Sequence, residues 1–211
     1  PELPLPLNNT LVHELLVSGK TYYITAGYSN FEPILLVFDE LCEYKTIKLP
    51  HDFSGPLAPY QGKLICGHKK LISLDIVSEK YEVLSDEPLG TRDGPWSAKV
   101  FKNFLIIGVS DKGDKIVVFD LDKKKIVAKI PTLKDSYYIY QSIETPDGKL
   151  LIAGSVPRIS FMLVDPKDWS FQTFYGDVPE KNTVNYYNIF LNEKTLYITS
   201  IYASFLFSYP D

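Results

Sequence analysis

Three histidines, His13, His51 and His68, are the only imidazoles in the chain, and none stands in the HxH or HExxH spacing that would aim two rings at one zinc ion. The segment SDKGDK (110–115) sets two aspartates beside a glycine but lacks the remaining ligands of a calcium loop, and turn chemistry accounts for it. No metal and no other cofactor is therefore expected. Neither a phosphate-cradling glycine loop nor a GxSxG nucleophile turn is present. Cys42 and Cys66 are too few for a disulfide framework; a single bridge between them stays open, and a buried free thiol at Cys66 is the simpler expectation.

The residues with the most to offer a ligand are aromatic. The chain has 15 Tyr, 12 Phe and 2 Trp, and many of them fall in the polar connections between apolar runs. Trp96, Tyr137, Tyr138, Tyr186 and Tyr187 stand in one set of connections, and Tyr28, Phe31 and Tyr202 in another. Amphipathic rings of this kind give large contact area at low entropic cost, which is why they are enriched in recognition surfaces. Arg92, Asp93, His68, Lys69 and Arg158 lie in the same connections and could add polar contacts.

Such a surface has to be held by a scaffold, and 211 residues with 45% apolar and 23% charged composition can bury a core without staples. A net charge of −4 argues against sequence-independent nucleic-acid binding, which depends on many Lys and Arg neutralising phosphates. The longest apolar runs, ILLVF (34–38) and FLIIGV (104–109), are far too short to span a bilayer as helices, and no hydrophobic leader opens the chain. Membrane insertion is not expected, and a soluble chain is.

The scaffold is repetitive. TYYIT (21–25), KLICG (63–67), FLIIG (104–108), KLLIAG (149–154) and TLYITS (195–200) begin 42, 41, 45 and 46 residues apart. Downstream of each, a second apolar run closes on Asp39, Asp75, Asp120, Asp165 or Asp211, at intervals of 36, 45, 45 and 46. Two independent markers thus share one period. A polar-apolar alternating segment follows each of the first four aspartates, as in KIVAKI (125–130), and reads as a half-solvated edge strand. A further short run precedes each first marker across a turn such as QGK or PDGK, where a residue must take positive φ. The aspartates before the outer strands are expected to cap turns.

Four short antiparallel strands recurring every 41 to 46 residues resemble the blades of β-propeller repeat proteins, at the level of the WD40-like and kelch-like superfamily. The chain lacks the recurring Gly-His and Trp-Asp dipeptides of the first and the paired glycines of the second, so no family function carries over. The resemblance implies an all-β fold, a five-bladed propeller of four-stranded antiparallel blades in one domain spanning 1–211, with blades near 11–50, 55–87, 95–131, 137–176 and 184–211. The last blade is one strand short. The proline-alternating segment at 2–7 suits an edge strand and is expected to complete it.

In a propeller the innermost strands line a channel, and the loops bearing the aromatics would converge at one mouth. The candidate binding residues are then Tyr28, Phe31, His68, Arg92, Asp93, Trp96, Tyr137, Tyr138, Arg158, Tyr186, Tyr187 and Tyr202. Glycoside hydrolysis would need two carboxylates across the scissile bond. Glu14 is the clearest acid on an inner strand, the others offering Tyr60, Lys99, Gln141 and Asn188, while Asp93, Asp135 and Glu180 lie in loops. The expectation is a non-catalytic binding module for protein–protein interaction or adsorption, its partner a protein or a glycan, with a lectin-like carbohydrate-binding propeller and a glycoside-active enzyme as successively weaker alternatives.

Overall fold

The computed structural model describes residues 11–27, 34–41, 43–49, 57–67, 70–86, 95–109, 115–131, 136–157, 160–175, 187–192, 195–200 and 204–208. Every regular element among them is a β-strand. The chain divides into two compact units, 1–95 and 96–211.

The first unit holds two four-stranded sheets. One consists of β1 (Leu11–Ser18), β2 (Thr21–Gly27), β3 (Ile34–Phe38) and β4 (Tyr44–Lys48), hydrogen-bonded in that order. The other runs β5 (Leu57–Tyr60), β6 (Lys63–Gly67), β7 (Leu71–Asp75) and β8 (Tyr81–Ser85). The two sheets share a core in which Leu35, Val37 and Ile47 of the first meet Leu57, Leu64, Ile72 and Leu74 of the second.

The second unit holds β9 (Pro95–Phe101), β10 (Phe104–Val109), β11 (Lys115–Asp120) and β12 (Lys125–Pro131); then β13 (Ser136–Glu144), β14 (Leu150–Pro157), β15 (Ser160–Val164) and β16 (Phe171–Tyr175); and last β17 (Tyr187–Asn192), β18 (Thr195–Ser200) and β19 (Ser204–Ser208). These form two four-stranded sheets and one of three strands, all antiparallel and all in sequence order.

Strand alternation explains why the central strands read as unbroken apolar runs. Along β14 and β15, Leu150, Ile152, Met162 and Val164 point to one face and join Ile106, Ile116, Val118 and Ile130 of the preceding sheet. Leu151, Ala153 and Phe161 point to the other face and join Ile189 and Leu196 of the following sheet. A sheet packed on both faces needs no polar side, so its middle strands lose the apolar-polar alternation that the outer strands keep.

The turns repeat as closely as the strands. Between the first and second strands of a sheet, Gly19, Gly148, Lys102 and the pair Gln61–Gly62 adopt positive φ. That backbone twist matches the twist of the flanking strands in a tight hairpin. Between the third and fourth strands an aspartate organises the turn in every four-stranded sheet. Oδ1 of Asp39 accepts the N–H of Leu41, that of Asp75 the N–H groups of Val77 and Ser78, that of Asp120 the N–H groups of Asp122 and Lys123, and that of Asp165 the N–H of Lys167. The capping role expected of these residues is what the structure shows. Four residues after Asp75, Asp120 and Asp165, the chain takes positive φ at Glu79, Lys124 and Trp169. The Asp39 turn is one residue shorter, its N–H donating to Glu43 O where Asp75 reaches Lys80 O.

Trp169 is the conformational outlier of this set, because a bulky residue at φ 62° carries a steric cost. Its backbone N–H donates to Asp165 O at 2.8 Å, and its indole meets Phe104 edge-on at 5.0 Å between ring centres. Those contacts offset the strain.

Candidate functional site

The first strand of each sheet is the one from which the aromatic positions depart. Within the first unit β1 lies against β5, and within the second β13 lies against both β10 and β17. β13 and β17 are therefore neighbouring strands in one unit. Tyr137 and Tyr138 sit at the start of β13 and Tyr187 opens β17, while Trp96 is the second residue of β9.

This placement corrects the expectation that these four residues lie in loops: all four belong to strands. The segment KDSYYIY is strand from Ser136 onward because Tyr and Ile are strong strand formers, and β14 extends to Pro157 to pair with it, Ser136 opposite Pro157 and Tyr138 opposite Ser155. Proline is acceptable there because it stands at the last position of the strand.

Tyr28, Phe31, His68, Arg92, Asp93, Arg158, Tyr186 and Tyr202 lie outside the described residues, as do Lys69, Asp135, Glu180, Cys42 and the segment 2–7. Cys66 is on β6.

Four register shifts among the described residues were not visible in the sequence: one in β11–β12 between Val118 and Phe119, one in β7–β8 between Leu71 and Ile72, and two that involve first strands. The register of β1 against β2 shifts between Val12 and Glu14, leaving His13 as the extra residue, and that of β13 against β14 shifts between Ile139 and Gln141, leaving Tyr140. These two are bulges within first strands, His13 in β1 and Tyr140 at the middle of β13, and bulges are over-represented beside functional sites. One inserted residue changes neither composition nor average spacing, so no sequence signal marks it.

Lys99 on β9 supplies the one perturbed titratable group on a first strand among the described residues. It is exposed, yet burial by surrounding protein holds its ammonium below the ordinary lysine value, with the carboxylate of Glu144 on β13 acting in the opposite sense. Exposure screens the effect heavily. The pairing is amine with carboxylate, whereas glycoside hydrolysis needs two carboxyl groups. Among the described residues no three His, Cys, Asp or Glu side chains gather as a metal site would require, and no helix is long and apolar enough to cross a membrane.

No family model matches the chain, and no curated protein matches it in sequence. Solved structures do match, and they are β-propeller folds. Hydrazine synthase of Kuenenia stuttgartiensis aligns at 15% identity over 85% of this chain and 58% of its own, with a TM-score of 0.64. A quinoprotein alcohol dehydrogenase-like protein of Bacteroides thetaiotaomicron aligns at 14% identity over 98% of this chain and 53% of its own, with a TM-score of 0.70. YCF48 bound to a D1 peptide aligns at 14% identity over 99% of this chain and 67% of its own, with a TM-score of 0.64. The chain thus spans little more than half the length of the first two. At these identities the likeness concerns fold alone: this is an all-β chain of antiparallel sheets similar to β-propellers.

Proposed function

We propose that the chain is a five-bladed β-propeller that acts as a non-catalytic binding module and engages a protein partner through the aromatic ends of its first strands. The observation that carries the reading is the run of rings at Trp96, Tyr137, Tyr138 and Tyr187, each at the start of a first strand, with two of those strands, β13 and β17, side by side. Rigid aromatic positions in a cluster are what an extended peptide docks against. A propeller-fold neighbour bound to a peptide supports this choice of partner. Propellers carry many unrelated functions, so the argument rests on the residues and the fold serves as their scaffold.

The test is peptide-array binding by the purified chain beside a Trp96→Ala, Tyr138→Ala, Tyr187→Ala triple variant. Loss of the bound set with an unchanged melting curve is the expected result, of the order of a hundredfold to ten-thousandfold if each of the three rings contributes about 1 to 2 kcal/mol. Binding that survives the triple substitution would overturn the reading. Signal on a glycan array and none on peptides would replace the partner class with carbohydrate.

In the same reading residues 2–7 supply the fourth strand beside β19, making the three-stranded sheet equal to the others. Removal of residues 1–7 is expected to accelerate amide exchange across 204–208 about tenfold or more, as an edge left unpaired would. Unchanged exchange there would remove the closing strand from the proposal.

A further inference from the structure

The outer strands of the four complete sheets differ in charge. β4 (YKTIK) carries Lys45 and Lys48, β8 (YEVLS) carries Glu82, and β12 (KIVAKIP) carries Lys125 and Lys129 and ends at Pro131. Charges and prolines of this kind protect a sheet edge against pairing with another chain. β4 is also engaged within its own unit, since Nζ of Lys45 donates to Ile76 O at 2.7 Å and stands 3.2 Å from Oε1 of Glu79. β16 (FQTFY) has neither charge nor proline. It closes the order of its sheet with β15 as its single strand neighbour among the described residues. Gln172 and Thr173 are exposed, and Phe171 and Phe174, which alternation places on opposite faces, are each 41% exposed.

We propose that β16 is a self-association edge, where two copies of this chain pair β16 with β16 antiparallel about a twofold axis at Thr173 and join their sheets into one. The occupant follows from the register. A twofold axis at Thr173 sets Phe171 opposite position 175, a tyrosine, sets Gln172 opposite Phe174, and sets Thr173 opposite itself. Aromatic pairs and Thr–Thr pairs are among the favourable cross-strand combinations, and no charge is taken from water. On the outer strands of the other three complete sheets the same operation fails on chemistry. On β12 it sets Lys125 opposite Pro131 and Lys129 opposite Val127; on β8 it sets Glu82 opposite Leu84; on β4 it sets Lys45 opposite Ile47. Each of those pairings places a charge beside an apolar partner or a proline in the ladder. A five-residue edge is a small interface, so the dimer is weak and depends on concentration.

The proposal is independent of the aromatic strand ends, and its test does not involve them. Sedimentation equilibrium of the full chain from micromolar to millimolar concentration is expected to show the average mass rising from 24.0 kDa toward twice that value. Amide exchange across 171–175 should slow in parallel. Thr173→Lys, which brings two ammonium groups together at the axis, is expected to hold the chain at the monomer mass with an unchanged circular dichroism spectrum. Gln172→Lys provides the same readout should Thr173→Lys fail to fold. A monomer at every concentration would overturn the proposal, as would a dimer that persists in a natively folded lysine variant. Slowed exchange at 171–175 only on adding a hydrophobic peptide, with the mass still monomeric, would also overturn it and assign the edge to a heterologous strand.

Discussion

Asp120→Ala is expected to lower the free energy of unfolding by about 2–4 kcal/mol, against roughly 1 kcal/mol for the same change at Asp39 or Asp165. The four aspartates hold one position in the repeat, but their surroundings differ. Asp120 is 0% exposed, whereas Asp39, Asp75 and Asp165 are half-buried. Oδ1 of Asp120 accepts the N–H of Lys123 at 2.9 Å and that of Asp122 at 3.1 Å, with Nδ2 of Asn103 at the long limit of 3.5 Å. Oδ2 has no aligned donor among the described residues. It stands 3.1 Å from Nζ of Lys123, an ion pair whose angle falls outside hydrogen-bond geometry. Alanine would leave two turn N–H groups and Asn103 without their acceptor. Asn is the graded control, keeping an oxygen for the N–H groups and losing the ion pair, and should fall between wild type and Ala.

The effect should depend on pH. The N–H of Lys123, with further help from its ammonium, holds the Asp120 carboxyl below the ordinary carboxylate range. A folded-state value below the unfolded one stabilises the protein at pH above the unfolded value, and that contribution is lost as pH falls through the folded value. The difference between wild type and Asp120→Ala, read from urea midpoints, should therefore be full near neutrality and shrink below about pH 4. Asp75, Asp147 and Asp168 are depressed in the same sense, chiefly by the Ser78 N–H, the Thr145 hydroxyl and the Ser170 N–H, so the whole protein should weaken over the same acid range. A gap that stays constant down to pH 3 would show that the carboxylate is not what holds the turn.

The strand positions were legible because two signals coincide. An apolar run ending in small residues and an apolar run ending in Asp each recur at nearly one period, and together they place the strands within a few residues. The 36-residue interval between Asp39 and Asp75 correctly signals a shorter repeat, the one with the four- and five-residue strands β5 and β6. The site was less legible. Tyr and Trp serve equally in recognition loops and in edge strands, so composition alone could not say that Trp96, Tyr137, Tyr138 and Tyr187 belong to strands. The bulges at His13 and Tyr140 arise from how one strand slides against its partner, which is a property of pairs of segments. The positive φ at Glu79, Lys124 and Trp169 was hidden for another reason. No glycine marks those turns; each of these residues stands four places after a turn-capping aspartate.

Met162→Ala is expected to cost about 2–5 kcal/mol, the range for emptying a fully buried Met or Leu site. Met162 is 1% exposed and belongs to the core formed between the β9–β12 sheet and the β13–β16 sheet, with Val118, Ile152 and Val164. Its neighbour Phe161 faces the other way, into the core shared with Ile189 and Leu196. The alternation makes a selective experiment possible. Met162→Ala should loosen the packing of β13–β16 on the preceding sheet, and Phe161→Ala its packing on the following one. Amide exchange read strand by strand should then rise first across β9–β12 in the former and across β17–β19 in the latter. If both variants accelerated exchange in the same strands, the two faces of the sheet would not act as separate interfaces. The stacking of sheets in sequence order would then be one cooperative core instead of a series of neighbouring ones.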